Sequence, residues 1–112
     1  MKQMMIENNH TYIDIVKMDI EGYEYMWLKY EASTTIPRIG QLLVEVHVHF
    51  GFVQEHFPSQ DAVTFVETCE NFGFRLFHQE LNKHHSIRFT ELSLIHHNWT
   101  KWDLHKFDFE PL

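Results

Sequence analysis

Cysteine, glycine and proline are all scarce in these 112 residues, and basic side chains are outnumbered by acidic ones. A single cysteine, Cys69, excludes an internal disulfide and leaves the redox compartment unread. Its apolar neighbours make it a buried, inert thiol. The four glycines, Gly22, Gly40, Gly51 and Gly73, stand apart, so no G-x-G phosphate-type turn exists. Nine Lys and Arg against 16 Asp and Glu give a formal charge of -7 with no basic stripe, which argues against a nucleic-acid partner. Long apolar runs are missing too. No segment approaches the roughly 20 residues of a membrane span, and the leading MKQMMIENN is too short in apolar residues for the core of a signal peptide. The chain therefore reads as soluble, with no membrane partner and an unknown compartment. In that setting the Asn98-Trp99-Thr100 sequon is a coincidence. Internal repeats and low-complexity linkers are absent as well.

What is present is a hydrophobic content of 44% with 15% aromatics, enough for a packed core. Tyr12 to Met18 is β-branched and aromatic and predicts a strand, which the acidic-glycine turn Glu21-Gly22 ends. A helix follows, with Tyr23, Met26, Trp27 and Tyr30 forming one apolar stripe assigned to the core, before Ser33-Thr34-Thr35 and Pro37 end it. Gln41 to Val48 predicts a second strand, with Leu42, Val44, Val46 and Val48 on one face and Leu43, Glu45, His47 and His49 on the other. Ser59 is a plausible N-cap for a helix carrying Ala62, Val63, Phe65, Val66, Cys69 and Phe72 at helical spacing, with Gly73 as its C′ residue. Phe74 to Leu81 and Ile87 to Ile95 predict a third and fourth strand at hairpin distance across Asn82 to Ser86, hence an antiparallel pair.

Strands alternating with helices favour an α/β layer with parallel strands joined by right-handed crossovers, to which the hairpin adds an antiparallel end. From His97 to Leu112, the apolar residues Trp99, Trp102, Leu104, Phe107 and Phe109 follow neither period, so residues 97–112 read as an extension packed on a domain of residues 1–96.

The run Val16-Lys17-Met18-Asp19-Ile20-Glu21-Gly22-Tyr23-Glu24 resembles the K-x-D-x-E-G-x-E signature of FkbM-type methyltransferases, including animal methyltransferase-like members. Leu43-Val44-Glu45-Val46-His47 is similar to that family's L-V-E-x-H strand, Gly73-Phe74-Arg75-Leu76-Phe77 to its G-F-x-x-F strand, and Phe89-Thr90-Glu91-Leu92-Ser93 to its final strand. Order and spacing agree across roughly Met1 to His96. The resemblance implies an α/β fold: a partial class I methyltransferase (Rossmann-like) sheet, the equivalents of strands 4 to 7, with the last strand antiparallel. It implies S-adenosylmethionine as cofactor, O-methylation as reaction, and a small-molecule or glycan hydroxyl as acceptor. The first strand, its glycine-rich turn and the acidic residue that holds the cofactor ribose have no counterpart before Tyr12. This chain is therefore expected to be a C-terminal half, inactive and doubtful in cofactor binding alone. Lacking its neighbour, residues 12–18 would form an exposed edge prone to self-association.

Open α/β sheets bind ligands beyond the carboxyl ends of their strands. Asp19 and Glu21 follow one strand while Glu45 and His47 end the next, so these four are the candidate catalytic residues. His47, oriented by Glu45 or Glu21, would serve as base to an acceptor hydroxyl. The bland alternatives are that Asp19 caps the helix, that Glu21 and Glu24 favour its positive end, and that His47 is a satisfied rim residue. Glu80, Asn82 and Glu91, which also match family positions, are assigned to hairpin register. Two readings of other classes remain open: a non-catalytic interaction module or pseudoenzyme fragment, and a His-rich metal-binding domain built on His47-x-His49, His56, His84-His85 and His96-His97. None of these spacings matches a recognised zinc motif, and no metal ligand is assigned.

Overall fold

The computed structural model describes residues 1–31, 34–47, 62–81, 89–99 and 111–112. Its elements are α1 (Lys2–Glu7), β1 (Ile13–Met18), α2 (Glu24–Glu31), a 3-10 turn (Ile36–Arg38), β2 (Ile39–His47), α3 (Ala62–Asn71), β3 (Phe74–Leu81) and β4 (Phe89–His96). The four strands form one sheet in the order β1-β2-β4-β3. β1 runs parallel to β2, and β4 is antiparallel to both β2 and β3. The expected strands and the antiparallel final strand are all present. Their positions in the sheet follow a rule that periodicity does not contain, because the last strand inserts between the second and the third. Ser59, Asn82 to Ser86, Ile87 and residues 100–110 of the 97–112 extension lie outside the described residues.

The buried face of the sheet follows the two-residue period of β2. Leu42, Val44 and Val46 are buried and pair in register with Leu94, Leu92 and Thr90 of β4, while Val16 and Met18 of β1 lie beside Leu42 and Val44. Phe65 and Cys69 of α3 and Tyr25 and Leu28 of α2 join this core. The Tyr25 and Phe65 rings meet edge to face, with centroids 5.6 Å apart and planes at 87°. Each fully buried side chain of this size contributes about 1.5–3 kcal/mol of transfer free energy. Burial pushes the Cys69 thiol up to about 12, so it stays protonated and unreactive.

The stripe Tyr23, Met26, Trp27 and Tyr30 is not the buried face of α2. Tyr23 and Tyr30 are exposed, Met26 and Trp27 are half-buried with Trp27 packed against the core, and Glu24, Tyr25 and Leu28 form the buried face. A helix can bury a carboxylate when polar partners receive it, and hydrophobic spacing cannot register that. The segment before β1 holds a helix that the apolar pattern did not suggest, anchored by buried Met5.

At the far end of the sheet, Gly73 (φ +91°) follows α3 as expected for a C′ residue, and its N–H donates to the Glu70 carbonyl at 2.9 Å. His96 Nε2 and His97 Nδ1 lie 3.0 and 2.8 Å from the Phe72 and Gly73 carbonyls, and their rings stack at 4.7 Å. These two histidines tie the end of β4 to the start of β3. Trp99, the described start of the extension, lies against Gly40, where a Cβ would collide with its ring. No described helix is long and apolar enough to cross a membrane.

Candidate functional site

Parallel pairing sets the carboxyl ends of β1 and β2 on one rim, since Met18 lies opposite Val44. Beyond Met18 the chain turns through Asp19 to Tyr23, with Glu21 (φ 55°) and Gly22 (φ 98°) both in the left-handed region. Such backbone persists for a non-glycine residue only where its surroundings enforce it. Here the enforcing group is Glu24. Fully buried at the start of α2, its Oε1 accepts hydrogen bonds from the N–H groups of Ile20 (3.2 Å) and Gly22 (3.1 Å). Near a helix N-terminus a carboxylate is also favoured by the backbone dipole.

The same oxygen lies 2.9 Å from Nδ1 of His47, the last residue of β2. His47 is 2% exposed, so the contact fixes its ring and turns Nε2 towards the rim. Three more carboxylates face that nitrogen: Glu45 Oε1 at 3.4 Å, Asp19 Oδ1 at 3.7 Å and Glu21 Oε2 at 3.7 Å. One ligand atom from each of Asp19, Glu45 and His47 lies within 4.8 Å of the other two.

All four residues singled out in the sequence therefore converge. The orienting carboxylate does not match the expectation, because Glu24 rather than Glu45 or Glu21 makes the short bond to His47. A sequence signal for it existed: Glu24 opens the helix and closes the signature, within reach of the two amides that precede it. From the sequence alone Glu24 reads only as favouring the helix end, since a surface carboxylate does the same.

Next to this constellation a groove of about 220 Å³ runs over β1, β2 and β4, lined by Lys17, Asp19, Leu43, Glu45, Glu91 and Ser93 among others. Glu91 sits directly across from Glu45, and Glu80 of β3 directly across from Glu91. Burial pushes the Glu45 carboxyl above its ordinary value, and the charge of Asp19 and then those of Glu91 and Glu21 act in the same direction, while His47 pulls it back. Like charges facing one another across strands destabilise the sheet.

The remaining histidines do not extend the cluster among the described residues. His96 and His97 serve the opposite end of the sheet, and His49, His56, His84, His85 and Asn82 lie outside the described residues. Compared with known proteins, residues 2–82 match the model of the methyltransferase FkbM domain. No curated protein and no solved structure matches the chain significantly.

Proposed function

The chain belongs to the methyltransferase FkbM domain family, and from that premise we propose that it is the acceptor-side half of an S-adenosylmethionine-dependent O-methyltransferase, its strands equivalent to strands 4 to 7 of the class I fold. The observation that carries this reading is the buried Glu24–His47 pair, which directs Nε2 into a rim with Asp19, Glu21 and Glu45. A hydroxyl seated in the adjoining groove would give its proton to Nε2, Glu24 would steady the imidazolium through Nδ1, and Glu45 and Asp19 would hold the acceptor's other polar groups. General base catalysis of this kind contributes about 10²–10⁴-fold.

S-adenosylmethionine fits the described residues poorly. Among the described residues Gly22 is the one glycine at the rim, and its N–H is already taken by Glu24, so these residues offer no glycine-rich backbone to cradle the cofactor. Gly40 is covered by Trp99, and Gly73 lies at the other end of the sheet. The 112-residue chain by itself is expected to be inactive. The acceptor class is a small-molecule or glycan hydroxyl.

The test is calorimetric titration of S-adenosylmethionine into this chain and into one extended upstream, followed by methyl transfer to a panel of hydroxyl compounds. Binding and transfer by the extended chain alone are expected. In it, His47→Gln should lower transfer about a hundredfold with cofactor affinity unchanged. Failure of both chains to bind would remove the methyltransferase reading.

A second reading, an interaction module or pseudoenzyme, is favoured by the outer edge of β1. Among the described residues β1 pairs only with β2, and Ile15 on it is 53% exposed. Free strand edges template association with another chain. Sedimentation should show concentration-dependent dimers that Ile15→Lys dissolves, whereas a monomer at every concentration would exclude self-association through residues 12–18.

A further inference from the structure

Among the described residues, acidic groups crowd around His47. Four carboxylates, those of Asp19, Glu21, Glu24 and Glu45, lie within 3.7 Å of its two ring nitrogens. An imidazolium would offset one of them. Glu24 is buried to the last atom, and its second oxygen, Oε2, has no hydrogen-bond partner among the described residues. Two backbone N–H groups and the His47 ring already meet its other oxygen, and positive charge carried by that ring would stabilise the buried carboxylate further.

We propose that Asp19, Glu45 and His47 bind a divalent first-row metal ion, with zinc the preferred occupant. Three features of the geometry support this. Glu24 Oε1 accepts the Nδ1 proton, the tautomer that leaves Nε2 as the ligating nitrogen, and a buried carboxylate behind a ligating histidine is the usual means of orienting it. Bonds of about 2.0–2.2 Å at tetrahedral angles place ligand atoms roughly 3.4 Å apart. The Nε2 to Glu45 Oε1 separation is 3.4 Å and the Nε2 to Asp19 Oδ1 separation is 3.7 Å, both near that spacing, and all three ligand atoms lie within 4.8 Å of one another. Asp19 is half exposed, which leaves room for water at the remaining coordination position. One imidazole with two carboxylates suits zinc or manganese, and the general affinity order puts zinc ahead.

The site goes beyond methyl transfer and does not depend on it. A nitrogen that holds an ion cannot accept a proton, so an occupied site is one in which His47 no longer serves as base. Metal and proton compete for the same atom.

Isothermal titration of Zn²⁺, Mn²⁺ and Mg²⁺ into the metal-free 112-residue chain tests this without any activity measurement. The expected result is one tight Zn²⁺ site per chain, weaker Mn²⁺ and weaker still Mg²⁺. Asp19→Asn with Glu45→Gln, both at positions with solvent contact, should weaken zinc by about tenfold or more while all ten histidines remain, and Glu24→Gln by about tenfold. Paramagnetic Mn²⁺ should broaden the His47 ring resonances before those of any other histidine, a readout that needs no variant. Zinc binding that survives the double substitution, no stoichiometric binding below millimolar concentration, or first broadening at another histidine would overturn the site.

Discussion

Replacing Glu24 with alanine is expected to destabilise the folded chain by about 4 kcal/mol, read as a fall in the urea midpoint with an unchanged slope. The magnitude follows from what is left behind. Ile20 N–H, Gly22 N–H and His47 Nδ1 all lose their acceptor at once. Each buried donor left unsatisfied costs about 1–3 kcal/mol, so incomplete compensation by water still leaves several. The loss would also release the backbone of Glu21 and Gly22, held in the left-handed region. Glu24→Gln separates the two contributions, because an amide oxygen can still accept from the turn while the charge facing His47 is gone. It should recover about half of the stability lost by alanine. Equal losses for both variants would mean that the carboxylate charge, and not its acceptor geometry, holds the turn.

Phe65→Ala should be comparably severe, at about 3–5 kcal/mol. Phe65 is fully buried, belongs to the core beneath β2 and β4, and makes the edge-to-face contact that joins α3 to α2 through Tyr25. Aromatic pairs of this geometry add about 0.5–1.5 kcal/mol beyond area burial. Against a total stability of about 5–15 kcal/mol for a domain, this one substitution should leave a measurable unfolded fraction at physiological temperature. Circular dichroism melting would show it, and an unaltered melting temperature would contradict the assigned core. Tyr25→Ala should lose less, since Tyr25 keeps 8% exposure where Phe65 has none.

The sequence made the elements legible where one physical signal dominated. β2 alternates cleanly because one face meets the core and the other the groove, and α3 shows helical spacing with a glycine after its last turn. Legibility failed where polar contacts competed with apolar ones. In α2 the side chain that decides which face turns inward is Glu24, whose burial depends on His47, 23 residues away. Spacing rules weigh Tyr23 and Tyr30 as core and Glu24 as solvent, the reverse of what is found. The convergence of Asp19, Glu21, Glu45 and His47 was readable from strand order alone, because parallel neighbours share a rim. The roles within it were not, since Glu45 and Glu21 stand in the sequence as alternative partners of His47, and only the distances single out Glu24 instead.

The position of β4 between β2 and β3 has a kinetic side. The chain must leave a strand-wide gap beside β2 while α3 and β3 form, then fill it with residues that come later. Pairings of β1 with β2 and of β3 with β4 join neighbours in sequence order, but β2 to β4 closes a long loop, and loop closure of that kind slows folding. Two half-sheets that cohere locally are thus welded by a single late strand. During synthesis the centre of this sheet is the last part to exist, and the edge of β2 from Gln41 to His47 has no β4 partner until Phe89 to Ile95 have arrived.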